Sequence, residues 1–475
     1  MSKLNVTDFL IYRWRYWIGY GIVAIGLIAV IIFASLYSPG GISYQEMQSV
    51  IKSSSINYSD FNSLAITNLP YHMLQNASLA IFGVSVFSIK LASIILAFLS
   101  AIGIILLLRN WFKPSVGILA SLIAISTGQF IFIAQDGTPG ILYLFWSSWL
   151  LFIASLISSR QKSRKLLITI FAVIAILSLY TPLSVYLLIA LVSAVVLHPH
   201  LRYIVKQIPK IEIIIGTVVA LILISPLILS VIKSPSLGLT LLGIPTQWPN
   251  LSSNLASLGA QYLGFTNPGG STLMTPFFEL GSMLIIAVGL YNVIKNHQTG
   301  KNYVIALWTA LLIPIVIINP NITAVAFLPL VLLLASGLNK LISYWYKLFP
   351  LNPYARIIGL IPLIILVSVL VFSGADRYVY GYRYDPNIAP NFSHDLNLIP
   401  AETKDLVVAD NELDFYKIVA LRNRTFNVSV EPTSDTFLST RGAKKQFDGY
   451  SINRIITASN SDQGDRFYLY TKTAQ

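Results

Sequence analysis

Carboxylates are scarce in the first 375 residues of this 475-residue chain, and the scarcity gives each of them weight. Thirteen of the 19 Asp and Glu residues fall from Asp376 onward, leaving Asp8, Glu46, Asp60, Asp136, Glu212 and Glu279 among long apolar runs. A carboxylate beside hydrocarbon is costly unless it lines a polar cavity, which makes such a group a candidate for chemistry. It can take a proton from an attacking hydroxyl or, with histidine, ligate a metal ion. Asp136 is the sharpest case, in the tight turn Gln135-Asp136-Gly137-Thr138-Pro139 between two apolar stretches. A turn aspartate capping the next helix is the alternative reading. Glu46 lies in Ser43-Tyr44-Gln45-Glu46-Met47, shortly after the first apolar stretch; its alternative is an exposed residue of an interfacial helix. His72, in Leu69-Pro70-Tyr71-His72, could ligate a metal with Glu46, and a divalent metal is the one cofactor these residues leave open. With one histidine and no spacing motif, a simply hydrogen-bonded His72 competes with that. The absence of cysteine excludes a disulfide framework, a thiolate metal site and a cysteine nucleophile.

The elements that must position these groups are membrane helices. Hydrophobic residues make up 55% of the chain, charged residues 11%, and the mean hydropathy is +0.70. A soluble chain is roughly a quarter charged, so most of this one faces lipid, and the first apolar stretch is expected to stay as an anchor. Apolar spans are read near 17–38, 90–108, 115–133, 139–159, 166–180, 183–197, 211–232, 277–294, 303–318, 321–338 and 357–373. The fifth and sixth, separated by Tyr180-Thr181-Pro182, could also form one kinked helix. With the N-terminus cytoplasmic, eleven crossings place 17 of the 20 Lys and Arg residues of this region inside and only Lys52, Lys90 and Lys233 outside. The net charge of +13 is therefore topological, and nothing gathers it into a nucleic-acid surface. The expected location is the plasma membrane, multi-pass, with the C-terminus extracytoplasmic.

Residues 1–375 read as the transmembrane domain, with long outer loops at 39–78 and 233–276. Loops of that length are usually lids or binding elements. Residues 376–475 read as a small extracytoplasmic α/β domain. Leu406 to Ala409 has a buried-strand pattern, Asp410 and Asn411 offer a helix cap before Glu412 to Leu421, and Thr425 to Val428 and Arg466 to Thr471 read as further strands.

Six short motifs of the first 160 residues, taken in order, resemble a known family. They are Gly41-Ile42-Ser43-Tyr44-Gln45-Glu46, Leu69-Pro70-Tyr71-His72, Phe82-Gly83-Val84-Ser85, Lys90-Leu91-Ala92-Ser93, Arg109-Asn110-Trp111-Phe112 and Gln135-Asp136. The pattern is similar to the GT-C superfamily, in its protein O-mannosyltransferase and aminoarabinose-transferase-like branch; the later spans and the tail fit it in layout only. The resemblance implies a polytopic helical fold and a sugar donor on a polyprenyl phosphate. It also implies transfer on the outer face to a lipid, glycan or protein acceptor. The first-loop acidic pair would carry the catalytic base, so Glu46 and Asp136 become the catalytic candidates. Gln45, Tyr71, Lys90 and Gln135 become substrate-binding candidates, with Lys90 near the phosphate.

The chain departs from that family where the chemistry sits. The first member of the acidic pair is Gln45, the outer turn lacks the family's arginines and its last Asp, and no Arg-Tyr precedes Phe327-Leu328-Pro329. Two functions follow: a polyprenyl-phosphate-sugar glycosyltransferase, or a lapsed relative that binds polyprenyl lipid during envelope-polymer assembly. A secondary transporter would need matched halves and broken midplane helices; the halves do not match, and Tyr180-Thr181-Pro182 is the one candidate break.

Overall fold

The computed structural model describes residues 10–36, 41–159, 164–263, 278–348, 353–380, 391–423, 426–458 and 464–473. The chain opens with α1 (Leu10–Leu36), then α2 (Tyr44–Ser54) and α3 (Leu69–Phe82) in the first loop. Next come α4 (Val86–Trp111), α5 (Pro114–Ser126), α6 (Gly128–Gln135), α7 (Leu142–Ser159), α8 (Arg164–Ser178) and α9 (Val185–Leu197). They are followed by α10 (Pro199–Lys206), α11 (Lys210–Lys233), α12 (Pro235–Leu242), α13 (Leu251–Leu263), α14 (Leu280–Lys295), α15 (Gly300–Ile318), α16 (Ala324–Leu348) and α17 (Pro353–Tyr378). Six helical segments among the described residues are long and apolar enough to cross a membrane, or up to eight if two bent pairs each count as one span.

Eleven crossings were expected, and the difference has identifiable sources. The stretch expected at 115–133 is broken: α5 and α6 meet at 57°, where Thr127 turns extended and caps α6 through its hydroxyl. Past 183–197 the chain bends by 95° into α10, at His198-Pro199, where proline ends the preceding helix. The apolar window of the first helix covers Tyr16–Ile32 and that of α14 covers Leu280–Lys295, both short of 18 residues, while α8 has only 15. Residues 166–197 form two helices rather than one kinked helix, because Leu183 takes a left-handed backbone (φ 64°) that no continuous helix contains.

The core sits where α4, α5, α6, α7 and α16 pack together, with Ile104, Leu107, Ala120, Phe130, Leu150 and Phe327 fully buried. α14 and α16 approach so closely that a side chain on Gly289 or Gly337 would strike the opposite backbone. The loop expected at 233–276 holds α12 and α13, and Asn319 Nδ2 ties it to the bundle by donating to the Gly243 carbonyl (2.8 Å). Its remainder, 264–277, lies outside the described residues.

After α17 the tail forms a five-stranded mixed sheet with β1 (Asp405–Val407), β2 (Asn427–Ser429), β3 (Thr436–Thr440), β4 (Tyr450–Thr457) and β5 (Asp465–Lys472), in the order β2-β1-β3-β5-β4. β1 pairs in parallel with β2 and β3, and β5 pairs antiparallel with β3 and β4. α18 (Leu413–Asn423) joins β1 to β2 and packs against α2. Phe415, Tyr416 and Val419 enter one buried cluster with Ile42, Met47, Val50 and Leu79 of the first loop. A strap at 392–395 completes the join: Ile42 and His394 pair as an antiparallel bridge. Gly41 lies so close to the Phe392 carbonyl that no side chain fits there.

Candidate active site

α2 is where the sequence first prepares a site. Ser43 and Glu46, three apart, form a capping box: the Glu46 N–H donates to Ser43 Oγ (3.2 Å) and the Ser43 N–H donates to Glu46 Oε2 (2.8 Å). This satisfies two orphan amides of the helix start and fixes the rotation of α2. One face of α2, at the helical spacing 45, 48, 49 and 52, then lines a cavity of about 430 Å³ with Gln45, Gln48, Ser49 and Lys52. The opposite face, with Met47, Val50 and Ser53, is buried. The remaining walls come from His72 of α3, Gln129 and Ile133 of α6, Asp136, Thr138 to Gly140, Tyr143, the segment Asn321–Ala324 at the start of α16, and Phe392 of the strap.

The two carboxylate candidates stand in different settings. Glu46 is fully buried and does not line the cavity. Oε1 accepts from the Gly137 N–H (2.7 Å) and pairs with Lys90 Nζ (3.4 Å), while Oε2 is held by Ser43. Lys90, itself 2% exposed, also donates to Gln135 Oε1 (3.1 Å) and lies over the Phe392 ring. A Cβ on Gly137 would stand 2.9 Å from Glu46 Oε1 and 2.8 Å from Ile89, so a larger residue there would have to displace those side chains.

Asp136, one residue before Gly137, faces the cavity. It ends α6 as its C-cap rather than starting the next helix, and its Oδ2 accepts from Thr138 Oγ1. Burial, and next the Glu46 charge, push its carboxyl up to about 7, against the smaller opposing pull of Thr138 and Lys90. It is the only acidic residue lining the cavity among those described, and Lys52 is the only Lys or Arg. Lys52 makes no ion pair among the described residues.

A buried network holds these walls in register. Gln75 Nε2 donates to the carbonyls of Ile89 (2.9 Å) and Gly137 (3.0 Å), and its Oε1 accepts from Ser49 (2.8 Å) and Ser53 (2.6 Å). Ser53 Oγ meets His72 Nδ1 at 2.8 Å. Of the residues singled out from the sequence, Asp136, Gln45 and His72 line the cavity; Glu46, Lys90 and Gln135 form the buried cluster behind it. Tyr71 is fully buried, with its hydroxyl 2.9 Å from Ser93 Oγ. The possible metal partners are engaged separately, Glu46 with Ser43, Gly137 and Lys90, and His72 with Ser53. Among the described residues no group of three or more His, Cys, Asp or Glu could hold a metal ion. Sequence reasoning passed over Lys52, Gln48 and Ser49, although the polar stripe at 45, 48, 49 and 52 was the signal for them.

The fold is that of a polytopic helical membrane protein with a C-terminal mixed sheet, and solved structures share it. Over 96% of this chain and 98% of the other, it superposes with TM-score 0.52 and 12% identity on ArnT from Cupriavidus metallidurans bound to undecaprenyl phosphate. The apo form of that protein gives 0.51 at 11% identity. The Archaeoglobus fulgidus oligosaccharyltransferase, tethered to an acceptor peptide, follows at TM-score 0.47 and 12% identity, over 84% of this chain and 63% of that one. Residues 70–229 match the dolichyl-phosphate-mannose-protein mannosyltransferase family. No curated protein sequence matches it.

Proposed function

We propose that the chain transfers a sugar from a polyprenyl phosphate to a hydroxyl of a lipid, glycan or protein acceptor, with Asp136 as the base. The observation that carries this reading is the cavity itself, where a carboxylate with its pKa raised to about 7 and a lysine with no ion pair among the described residues share a space of about 430 Å³. A base works best with its pKa near the operating pH. The acceptor oxygen attacks the anomeric carbon as its proton passes to Asp136. The bond between that carbon and the phosphate oxygen breaks, and the polyprenyl phosphate leaves with the electron pair. Lys52 offsets the charge that develops on the leaving phosphate. In this reading Lys90 acts behind the cavity, holding Glu46 and Gln135 and with them the Asp136 turn, and Gln45 offers an amide to the substrate. The ArnT structure in complex with undecaprenyl phosphate supports a polyprenyl-phosphate ligand for this fold.

The cavity face would be extracytoplasmic and the N-terminus cytoplasmic, which is the orientation that the lysine and arginine distribution favours. The test is sugar release from a panel of polyprenyl-phosphate sugars by purified protein in lipid nanodiscs, beside Asp136→Asn. Release by wild type and its loss in the variant is the expected result. A second reading, a lapsed transferase that binds polyprenyl lipid, rests on Gln45 facing the cavity in place of the first member of the acidic pair. Donor binding without release from any sugar would favour it.

A further inference from the structure

We infer that His72 is a substrate-contacting residue whose Nε2 accepts a hydrogen bond from an alcohol hydroxyl inside the cavity. The hydroxyl as ligand rests on the transferase reading above; the state of the imidazole does not.

That state is read from the far end of the buried network. Because Gln75 Nε2 donates to two backbone carbonyls, Ile89 and Gly137, the amide has a single sensible orientation and Oε1 is left to accept. Ser53 spends its one hydroxyl hydrogen on that oxygen, at 2.6 Å. At its 2.8 Å contact with His72 Nδ1, Ser53 Oγ can therefore only accept, so Nδ1 carries the proton. A neutral imidazole protonated at Nδ1 presents a bare lone pair at Nε2.

The ring is held neutral. Burial first, and then the Lys52 charge, bring its pKa down to about 4. His72 is 2% exposed and lines the cavity, and Nε2 has no hydrogen bond among the described residues. A lone pair at that point repels a phosphate oxygen and suits a donor. The two neighbours thus divide the ligand: Lys52 faces the anion and His72 faces a hydroxyl. That hydroxyl belongs either to the donor's sugar or to the acceptor, since the chemistry is the same for both.

The experiment uses the full chain in nanodiscs and has two arms. In the first, nitrogen NMR of 15N-histidine-labelled protein, with the signal assigned by its loss in His72→Asn, reports the tautomer. A neutral ring protonated at Nδ1 across pH 5–8, turning to a tautomer mixture in Ser53→Ala, is expected. A ring protonated at Nε2, or doubly protonated at pH 7, overturns the proposal.

The second arm compares binding of a polyprenyl-phosphate sugar with binding of the same polyprenyl phosphate without sugar, and then KM for the acceptor. His72→Asn keeps an amide donor toward Ser53 and removes the Nε2 acceptor. It should weaken either the sugar-bearing donor or the acceptor about tenfold, the size of one lost hydrogen bond, and leave sugar-free lipid binding unchanged. His72→Gln, which reaches the Nε2 position, should recover part of the loss. Loss with the donor identifies the sugar as source, and loss with the acceptor identifies the acceptor. Wild type that binds the donor while His72→Asn matches it in both measurements overturns the assignment alone. Wild type that binds no sugar-bearing donor overturns the transferase reading itself.

Discussion

Glu46 and Asp136 sit on two sides of one glycine, and their surroundings make them different groups. Both Glu46 oxygens are engaged, by Ser43, Gly137 and Lys90, and no solvent reaches it. Asp136 has one hydroxyl partner, Thr138, and opens on the cavity. A buried carboxylate whose two oxygens are already held by a lysine and two backbone amides offers no free site for a new hydrogen-bond donor. A carboxylate raised by burial and a like charge is poised to exchange a proton near neutral pH. The pair teaches that proximity does not give two acids the same setting: one holds the turn, and its charge raises the pKa of the other.

The largest effect should come from breaking the open side. On the proposed reading Asp136→Asn removes the base and keeps the shape, so kcat should fall by about 10²–10⁴, the usual worth of a general base. The melting temperature should stay at or above that of wild type, because an amide avoids the cost of a buried charge. Activity within threefold of wild type would move the base elsewhere. Lys90→Met attacks the other side. It breaks the buried Lys90–Glu46 pair by removing one partner, a loss of about 3–5 kcal/mol in stability. Adding Glu46→Gln should restore part of it, and denaturation of the two variants in detergent checks this. If Lys90→Met folds normally and loses only phosphate affinity, Lys90 belongs to the cavity after all.

A pH profile sharpens the contrast without a mutation. Asp136 holds its proton more tightly folded, at about 7, than in its ordinary range near 3.8. Its contribution to stability is therefore complete below about 4 and lost as pH rises through about 7. Turnover has the opposite slope, because only the ionised form accepts a proton, and should climb to a plateau above a midpoint near 7. Asp136→Asn should flatten both curves. Parallel slopes for melting and turnover would show that some other group governs the rate.

The contrast also explains what could be read beforehand. Apolar runs showed a helical membrane bundle, because lipid forces twenty or so apolar residues into each crossing. They could not show the break at Thr127, where a cap hydroxyl and the packing of α17 against α5 and α6 decide the bend. In the tail, β1, α18 and β5 followed from pattern, whereas β4 did not. It is an edge strand with Arg454 in its middle and both faces largely exposed, so no alternation marked it. At the site, Ser43-x-x-Glu46 is a capping-box signature that was legible, and reading it would have given Glu46 its structural role. That Lys90 reaches Glu46 and Gln135 across 44 and 45 residues is tertiary packing that no spacing announces.

The smallest effect belongs to the tail's grip on the buried side. Asn423 at the end of α18 clasps one residue at the turn before α4: its Nδ2 donates to the Val84 carbonyl and its Oδ1 accepts from the Val84 N–H, both at 2.8 Å. Beside it, Arg422 Nη2 donates to Asn76 Oδ1 at 2.7 Å. Lys90 begins four residues into α4, so this clasp steadies the Glu46 side of the glycine and touches nothing in the cavity. Asn423→Ala should cost about 1–3 kcal/mol, since two net hydrogen bonds are worth roughly 0.5–1.5 each. It should lower the melting temperature while kcat and the pH midpoint stay within experimental error. A shift of the midpoint in this variant would instead mean that the tail reaches Asp136 through Glu46, and that the two sides of Gly137 work as one unit.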